Sequence, residues 1–184
     1  MTRLRIIGGK FGGRYISANT GSATHPMGDR VRTAMFNMLE SRDVLRGTEI
    51  LDAFAGTGAI GLECLSRGAK SATFIERDHT AQKVIVDNIT TLNISDCTKL
   101  IKTSVGAWLT SGNTTKFDLI FVDPPYDNPQ FSTVLELLGS LRDNGLMILS
   151  IPGREIIPEP NGVVVVDKRS YGEANLVIYR KIDN

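Results

Sequence analysis

Cysteine and histidine are scarce in this chain, and long apolar runs are missing. The 184 residues include two cysteines, Cys64 and Cys97, and two histidines. Without a CxxC spacing or paired histidines, the sequence predicts neither a disulfide framework nor a zinc site. We expect both cysteines to be small buried residues in a reducing compartment. No apolar run approaches the roughly 20 residues that span a bilayer.

The N-terminus lacks the pattern of a secretory signal. Its first 16 residues, MTRLRIIGGKFGGRYI, scatter basic residues and glycines where an apolar segment would be needed. With 41% hydrophobic and 22% charged residues, the composition is that of a globular protein, and the length suits one domain. We therefore expect a cytoplasmic monomer that does not associate with membranes.

The net charge of +1 conceals an uneven distribution. Residues 1–32 contain a single acid, Asp29, and six basic side chains: Arg3, Arg5, Lys10, Arg14, Arg30 and Arg32. Positive charge returns near the C-terminus, at residues 168–181. Such clusters either form ordinary solvated surface or attract a polyanion such as nucleic acid.

Strand and helix patterns alternate along the chain. Residues 3–7 and 14–18 have the pattern of two short strands around GGKFGG, and an amphipathic helix follows Asp29, which we expect to cap it. Seven apolar segments come next: TEILDAF, SATFIE, KLIKT, FDLIFVD, GLMILSI, GVVVVDK and ANLVIYRK. The pattern predicts an α/β fold with a small N-terminal β-hairpin and a mostly parallel seven-stranded sheet. Helices cover both faces of this sheet, and its last strand is antiparallel.

Ligands of such a sheet bind at the carboxyl ends of its strands. The first large strand runs into LDAFAGTGAIG, where Gly56, Gly58 and Gly61 satisfy G-x-G-x-x-G, and Glu76 ends the next strand. The glycines let the backbone approach a ligand, and a carboxylate at position 76 can accept both hydroxyls of a ribose. These residues predict a nucleoside-containing cofactor, the alternative being a plain strand–helix turn.

Asp52 helps to identify that cofactor. Dinucleotide enzymes place a pyrophosphate at the start of the helix that follows the glycines. A carboxylate four residues before Gly56 would be poorly placed beside a pyrophosphate but well placed near an ammonium group. S-adenosylmethionine carries a cationic aminoacyl end, a sulfonium and a ribose, without phosphate. Asp52 and Glu76 therefore favour S-adenosylmethionine over NAD.

The stretch FDLIFVDPPY, residues 117–126, ends an apolar strand on Asp123, Pro124, Pro125 and Tyr126. The exocyclic amine of a nucleobase is a poor nucleophile because its lone pair is delocalised into the ring. The Asp123 side chain and the Pro124 carbonyl can accept its two N–H groups, and the prolines add no donors. Tyr126 offers a face on which an extruded base can stack. The stretch predicts methylation of an amino group.

With these motifs, the sequence resembles class I S-adenosylmethionine-dependent methyltransferases that carry the amino-methylating [DN]PP[YF] motif. It resembles more closely the RsmD family of bacterial 16S ribosomal RNA guanine-N2 methyltransferases. The matching stretches between residues 5 and 180 are RIIGGKFGGR, GDRVRTAMFNML, LDAFAGTGAIGLECLSRGA, FIERD, FDLIFVDPPY and YGEANLVIYR. The resemblance implies one Rossmann-like methyltransferase domain over residues 1–184. Residues 1–28 would form a β-hairpin and basic extension, and residues 29–184 the catalytic core.

The resemblance also implies roles for individual residues. S-adenosylmethionine would be held by Asp52, Phe54, Gly56, Gly58, Glu76, Arg77, Ser104 and Asp123. Guanine binding and catalysis would fall to Asp123, Pro124, Pro125 and Tyr126. The nucleic acid would meet Arg5, Lys10, Arg14, Arg30 and Arg32. The implied partner is 16S ribosomal RNA within the small subunit or an assembly intermediate of it.

The chain departs from the family pattern at two places. It has His25, Pro26 and Met27 where RPT is usual, and Ser104 where an acid would accept the adenine amine. We expect a weaker contact from Ser104, and we expect Trp108 to lie in the core. Three alternatives remain at this stage, of which an NAD-dependent oxidoreductase is the third. The methylated amine could instead be adenine N6 or cytosine N4 in DNA, or a protein glutamine. The chain could also be a noncatalytic RNA-binding or ribosome-assembly module of the same fold.

Overall fold

The structure, a computed structural model, describes residues 2–18, 27–125, 130–158, 160–172 and 174–182. At the N-terminus, β1 (Arg3–Arg5) and β2 (Tyr15–Ser17) pair antiparallel. A turn of 3-10 helix at Gly9–Phe11 lies between them. The predicted hairpin is confirmed, although both strands are shorter than the sequence pattern suggested. His25 and Pro26 lie outside the described residues.

Helix α1 (Asp29–Glu40) follows the hairpin. Its N-cap is Gly28, which makes no side-chain capping hydrogen bond, so the prediction that Asp29 caps this helix was wrong. Asp29 instead lies in the first turn, where a negative charge is favourable at the positive end of the helix dipole. Its carboxylate contacts Arg32 at 2.9 Å, an arrangement that the spacing of one helical turn permits.

The remaining elements alternate as predicted and form one seven-stranded sheet in the order β5-β4-β3-β6-β7-β9-β8. They are β3 (Glu49–Asp52), α2 (Ala59–Ser66), β4 (Ser71–Ile75), α3 (His79–Leu92), β5 (Thr98–Ile101), α4 (Val105–Thr110), β6 (Phe117–Val122), α5 (Phe131–Glu136), β7 (Leu141–Pro152), β8 (Val163–Tyr171) and β9 (Ala174–Lys181). Strand β9 lies between β7 and β8 and is antiparallel to both. The mostly parallel sheet with an antiparallel last strand is confirmed.

Apolar side chains fill the space on both faces of the sheet. On one face, α1, α2 and α3 bury residues such as Phe36, Leu62 and Ile85. On the other face, α4 and α5 bury Trp108 and Val134. Trp108 is 5% exposed, which confirms its predicted place in the core. Cys64 is buried as expected, whereas Cys97 is only partly buried.

This topology brings the carboxyl ends of several strands to one edge of the sheet. Strand β3 pairs with β4 on one side and with β6 on the other, so the chain order reverses there, and ligands bind at such a switch point. The described residues contain no helix long and apolar enough to cross a bilayer. Nor do they contain a cluster of acidic, histidine or cysteine side chains suited to a metal ion.

Candidate active site

A cavity of about 740 Å³ opens at the carboxyl edge of the sheet. Its volume is within the range of small-molecule binding sites. The predicted site residues that line it are Phe54, Gly56, Glu76, Arg77, Ser104, Asp123, Pro124 and Pro125, together with Arg32. The loops after β3, β4, β5 and β6 therefore bring most of the predicted residues to one site.

The three glycines of the loop after β3 have different structural roles. Gly56 and Gly58 have φ angles of +54° and +76°, a region that side-chain-bearing residues rarely adopt. Gly56 lines the cavity, whereas Gly58 ends the turn directly before α2. At Gly61, a Cβ would come within 2.3 Å of the Phe74 ring. Gly61 thus permits close packing of α2 on β4, and Gly58 shapes the turn rather than the cavity wall.

Glu76 is held in place by the backbone. One carboxylate oxygen accepts a hydrogen bond from the Gly56 amide at 2.7 Å, and the other accepts one from the Asp78 amide at 2.8 Å. The side chain is 8% exposed and lines the cavity. Each carboxylate oxygen has more than one lone pair, so both can still accept hydrogen bonds from a ligand.

Asp52 lies at the end of β3, behind the cavity wall. It is 2% exposed, and its Oδ2 accepts a hydrogen bond from the Gly61 amide at 3.0 Å. Burial raises the pKa of Asp52 to about 7, opposed by the Gly61 hydrogen bond and reinforced by the negative charges of Asp123 and Glu76. A carboxyl group with this pKa is partly protonated at neutral pH, and a nearby cation would ionise it.

Asp123 directly follows β6, and its residue is partly buried. Burial raises the pKa of Asp123 to about 6, and a hydrogen bond with Ser150 of β7 opposes that shift. At neutral pH the group is therefore mostly a carboxylate, which only accepts hydrogen bonds. Pro124 and Pro125 continue the cavity wall. Tyr126 lies outside the described residues.

The loop after β5 contributes Thr103 and Ser104 to the cavity. The Ser104 hydroxyl accepts a hydrogen bond from the Ala107 amide at 3.2 Å and so caps α4. A capping hydroxyl keeps a donor for other partners, so Ser104 can still contact a ligand in the cavity. Arg77, exposed at this side, also lines the cavity.

The predicted nucleic-acid-binding residues occupy two environments. Arg5, Lys10, Arg14 and Arg30 are exposed, and the Arg14 guanidinium also donates to the Thr91 carbonyl at 2.8 Å. These positions are accessible to a polyanion.

Arg32 is different, because only 2% of it is exposed. One of its Nη atoms donates to the Arg5 carbonyl and to Asp29, each at 2.9 Å. This side chain joins α1 to β1 on the inner side of the hairpin. Arg32, which the sequence assigned with Arg30 to a contact with RNA or cofactor, therefore lies in a buried position at the cavity wall and not among the exposed basic side chains.

The site also contains residues to which the sequence had assigned no role. Leu4, Met27 and Val31 line the cavity from the N-terminal elements, and Tyr171 and Ala174 line it from the ends of β8 and β9. The conspicuous motif YGEANLVIYR begins with Tyr171. The motif was a sign in the sequence that these residues matter, but the local sequence pattern did not show which edge of the sheet they would reach.

The N-terminal hairpin is fixed to α2 by Glu63, which is fully buried. Its carboxylate accepts hydrogen bonds from the Ile7 and Gly8 amides at 2.7 and 2.8 Å. It also pairs with Arg67 at 2.7 Å. Because α2 follows the glycine loop, this contact ties the hairpin to the element that shapes the cavity.

Comparison with known proteins identifies the family. Residues 4–180 match a protein family described as Conserved hypothetical protein 95. Ribosomal RNA small subunit methyltransferase D of Escherichia coli K12 is 35% identical over 143 residues, which are 78% of this chain and 69% of that protein. The chain belongs to the RsmD family. The family member of the same name from Haemophilus influenzae is 30% identical over 98% of this chain and 94% of its own length.

Solved structures extend the likeness to the whole RsmD fold. The Escherichia coli protein yhhF has a TM-score of 0.88 at 29% identity and covers 100% of both chains. The Haemophilus influenzae protein HI0767 has a TM-score of 0.82 at 28% identity over 99% of this chain and 100% of its own. TrmN from Thermus thermophilus, at 18% identity and a TM-score of 0.66, shares the fold.

Proposed function

We propose that this RsmD-family protein methylates the exocyclic N2 of a guanine in 16S ribosomal RNA, with S-adenosylmethionine as the methyl donor. The observation that carries the proposal is the shared cavity, which Asp123 and Pro124 line together with Gly56 and Glu76. The names of the relatives, ribosomal RNA small subunit methyltransferase D, support small-subunit RNA as the substrate class.

The residues around Gly56 fit S-adenosylmethionine. Among the described residues, no lysine or arginine forms an ion pair with Asp52, Glu76 or Asp123. Buried carboxylates without such partners favour a cationic ligand and disfavour a pyrophosphate. Glu76, oriented by two amides, would accept the ribose hydroxyls, and Asp52 would stabilise the aminoacyl ammonium. S-adenosylmethionine itself supplies an electrophilic methyl group on a positively charged sulfur.

Asp123 and Pro124 would orient the guanine amine. The carboxylate accepts one N–H group and the Pro124 carbonyl accepts the other, which favours a pyramidal nitrogen whose lone pair points to the methyl group. Proline lacks an N–H group, so neither proline adds a donor that competes with the amine. The negative charge of Asp123 also stabilises the positive charge that develops on the nitrogen. The methylated nitrogen then loses its proton to Asp123 or to water, and catalysis is mainly positioning and electrostatics.

The exposed basic side chains support a polyanionic substrate. Arg5, Lys10, Arg14 and Arg30 all lie on the hairpin or on the first turn of α1, the elements that flank Leu4 and Met27 in the cavity wall. Contacts of such side chains with RNA phosphates add affinity without reading the sequence. Stacking of Tyr126 on the extruded guanine remains part of the proposal.

The direct experiment uses radiolabelled S-adenosylmethionine and small ribosomal subunits that lack the modification. After incubation, the RNA is digested and the labelled nucleoside is identified, in parallel with free 16S RNA. We expect the label in N2-methylguanosine. Label in N6-methyladenine, in N4-methylcytosine or in protein would contradict the proposal. Protection against heat by S-adenosylhomocysteine, and not by NAD, checks the cofactor separately.

A further inference from the structure

Tyr171 is the large aromatic residue at the end of β8. It pairs with Ala174 across the β8–β9 turn, and both residues line the cavity. Ala174 also pairs with Pro152 at the carboxyl end of β7. The antiparallel β9 thereby brings the β8–β9 turn to the same edge of the sheet as Asp123.

Tyr171 is only partly buried, although it packs against the core. Leu4 and Met27 pack against the same core cluster and line the same cavity. The N-terminal elements and β8 therefore contribute the apolar and aromatic side chains of Leu4, Met27 and Tyr171 to the cavity wall, together with Arg32, whereas Glu76 contributes a carboxylate. An apolar, aromatic wall suits the flat face of a nucleobase better than a charged aminoacyl chain.

Arg169 lies on the same face of β8 as Tyr171, because side chains two residues apart in a strand point to the same side. Asp167 shares this face and accepts a hydrogen bond from Arg42, which follows α1, at 2.6 Å. The face is therefore the one that α1 covers. The Arg169 side chain contacts Asp167 at 3.5 Å and is 54% exposed.

Arg169 and Tyr171 are two residues apart on this face of β8. The pKa of the Arg169 guanidinium is raised, mainly by its hydrogen bond to Asp167. An exposed guanidinium next to an aromatic wall can contact a phosphate while the ring contacts the neighbouring base. Asp167, shared with Arg42 and Arg169, would fix the direction of that guanidinium.

We propose that the end of β8 forms part of the RNA site, with Tyr171 against the target base and Arg169 on an adjacent phosphate. This inference rests on the proposed function. Tyr171 would form a second wall of the base site, on the side of the cavity away from Glu76. The end of β8 would also extend the RNA-binding surface beyond the N-terminal basic residues.

Four variants test the proposal: Tyr171→Leu, Tyr171→Phe, Arg169→Gln and the control Arg46→Gln. Arg46 is exposed and lies before β3, at the opposite edge of the sheet. Steady-state methylation of small subunits gives kcat and the KM for RNA, and the salt dependence of RNA binding gives the number of phosphate contacts. Heat protection by S-adenosylhomocysteine reports whether each variant retains its fold and cofactor site.

Loss of base stacking in Tyr171→Leu should lower kcat/KM for RNA by about 10- to 100-fold. Tyr171→Phe should stay within about threefold of the wild type, and both variants should keep the wild-type protection by S-adenosylhomocysteine. Arg169→Gln should reduce the slope of log K against log salt by about 0.7 to 0.9. Arg46→Gln should leave this slope unchanged.

Wild-type kcat/KM in Tyr171→Leu, or a wild-type salt slope in Arg169→Gln, would overturn the inference. So would a Tyr171→Leu defect that appears equally in cofactor protection, because that result indicates a structural role alone. Failure of the wild type to methylate RNA would instead contradict the proposed function. The two failures are therefore distinguishable.

Discussion

Strands β3 and β6 carry an acidic residue at each end, and the two ends differ in how the charge is neutralised. At the amino ends, Glu49 contacts Lys70 at 2.7 Å and Arg142 at 2.6 Å. Asp118 contacts the same Arg142 at 2.7 Å. The hydrogen bonds from Lys70 and Arg142 lower the pKa of Glu49. The charges of these acids are therefore neutralised by basic side chains of the protein itself.

At the carboxyl ends, Asp52 is almost fully buried and Asp123 is partly buried. Neither has such a partner among the described lysines and arginines. Burial raises the pKa of Asp52 to about 7 and that of Asp123 to about 6. Keeping carboxylates buried without cations costs stability, and perturbed groups of this kind cluster at functional sites. From this difference we infer that bound ligands, rather than basic side chains of the protein, neutralise the carboxylates at the carboxyl edge of the sheet.

The largest expected effect comes from Asp123→Asn. The amide can donate as well as accept and carries no charge, so we expect kcat for RNA methylation to fall by at least about 100-fold. Protection by S-adenosylhomocysteine should remain. The matched control, Asp118→Asn at the other end of β6, removes an exposed ion pair and should keep activity within about twofold. Substantial turnover by Asp123→Asn would contradict the role of this carboxylate.

Asp52→Asn should weaken cofactor binding while it stabilises the ligand-free protein. Because the pKa of Asp52 is about 7 against an ordinary 3.8, its contribution to stability is fully present below about pH 4 and is lost as pH rises through about 7. Asparagine does not ionise, so we expect the ligand-free variant to melt about 2 to 8 °C above the wild type at pH 8. Binding of S-adenosylhomocysteine should weaken by about tenfold or more.

Calorimetry and thermal melts measure both effects of Asp52→Asn. The control is Glu49→Gln at the other end of β3, which should leave cofactor binding unchanged and slightly lower the melting temperature. An Asp52→Asn variant that melts below the wild type at pH 8 would argue against a destabilising buried charge.

The pH dependence of turnover should follow Asp123. Its pKa of about 6 means that the group is a carboxylate above that value and becomes a neutral acid below it. With both substrates well below saturation, where the rate reports the free enzyme, we expect kcat/KM to fall below an apparent pKa near 6, by about tenfold per pH unit at the acid limit. Initial rates between pH 5 and 8 measure this, and a flat profile would exclude the required carboxylate.

Arg142→Gln should have the smallest effect. It removes two contacts at the amino edge, and Arg142 is 42% exposed. We expect the free energy of unfolding to fall by less than about 1 kcal/mol, with unchanged methylation. Urea denaturation and the RNA assay check this pair of outcomes. A large loss of activity would show that the two edges are not functionally distinct.

Much of the carboxyl edge could be predicted from the sequence. Gly56, Glu76 and Asp123 directly follow or end apolar strands, and the ends of parallel strands converge on one edge whatever the details of packing. The layered fold could also be predicted from the sequence, because strand and helix periodicities are local properties of the sequence.

Other features depend on contacts distant in sequence. The burial of Arg32 requires the Arg5 carbonyl, so counting basic residues could not separate it from the exposed Arg30. The position of Tyr171 in the cavity requires β9 to pair with both β7 and β8. The N-cap at Gly28 rather than at Asp29 is a difference of one residue, because Asp29 is already the first residue of the helix.

Proton release on cofactor binding tests most directly whether ligands neutralise the carboxyl edge. Calorimetric titration of S-adenosylhomocysteine at pH 7, in buffers of different ionisation enthalpy, counts the protons. Since Asp52 has a pKa of about 7, a bound ammonium should ionise it and release about half a proton per site. Asp52→Asn should release almost none. No release by the wild type, or equal release by the variant, would contradict the account.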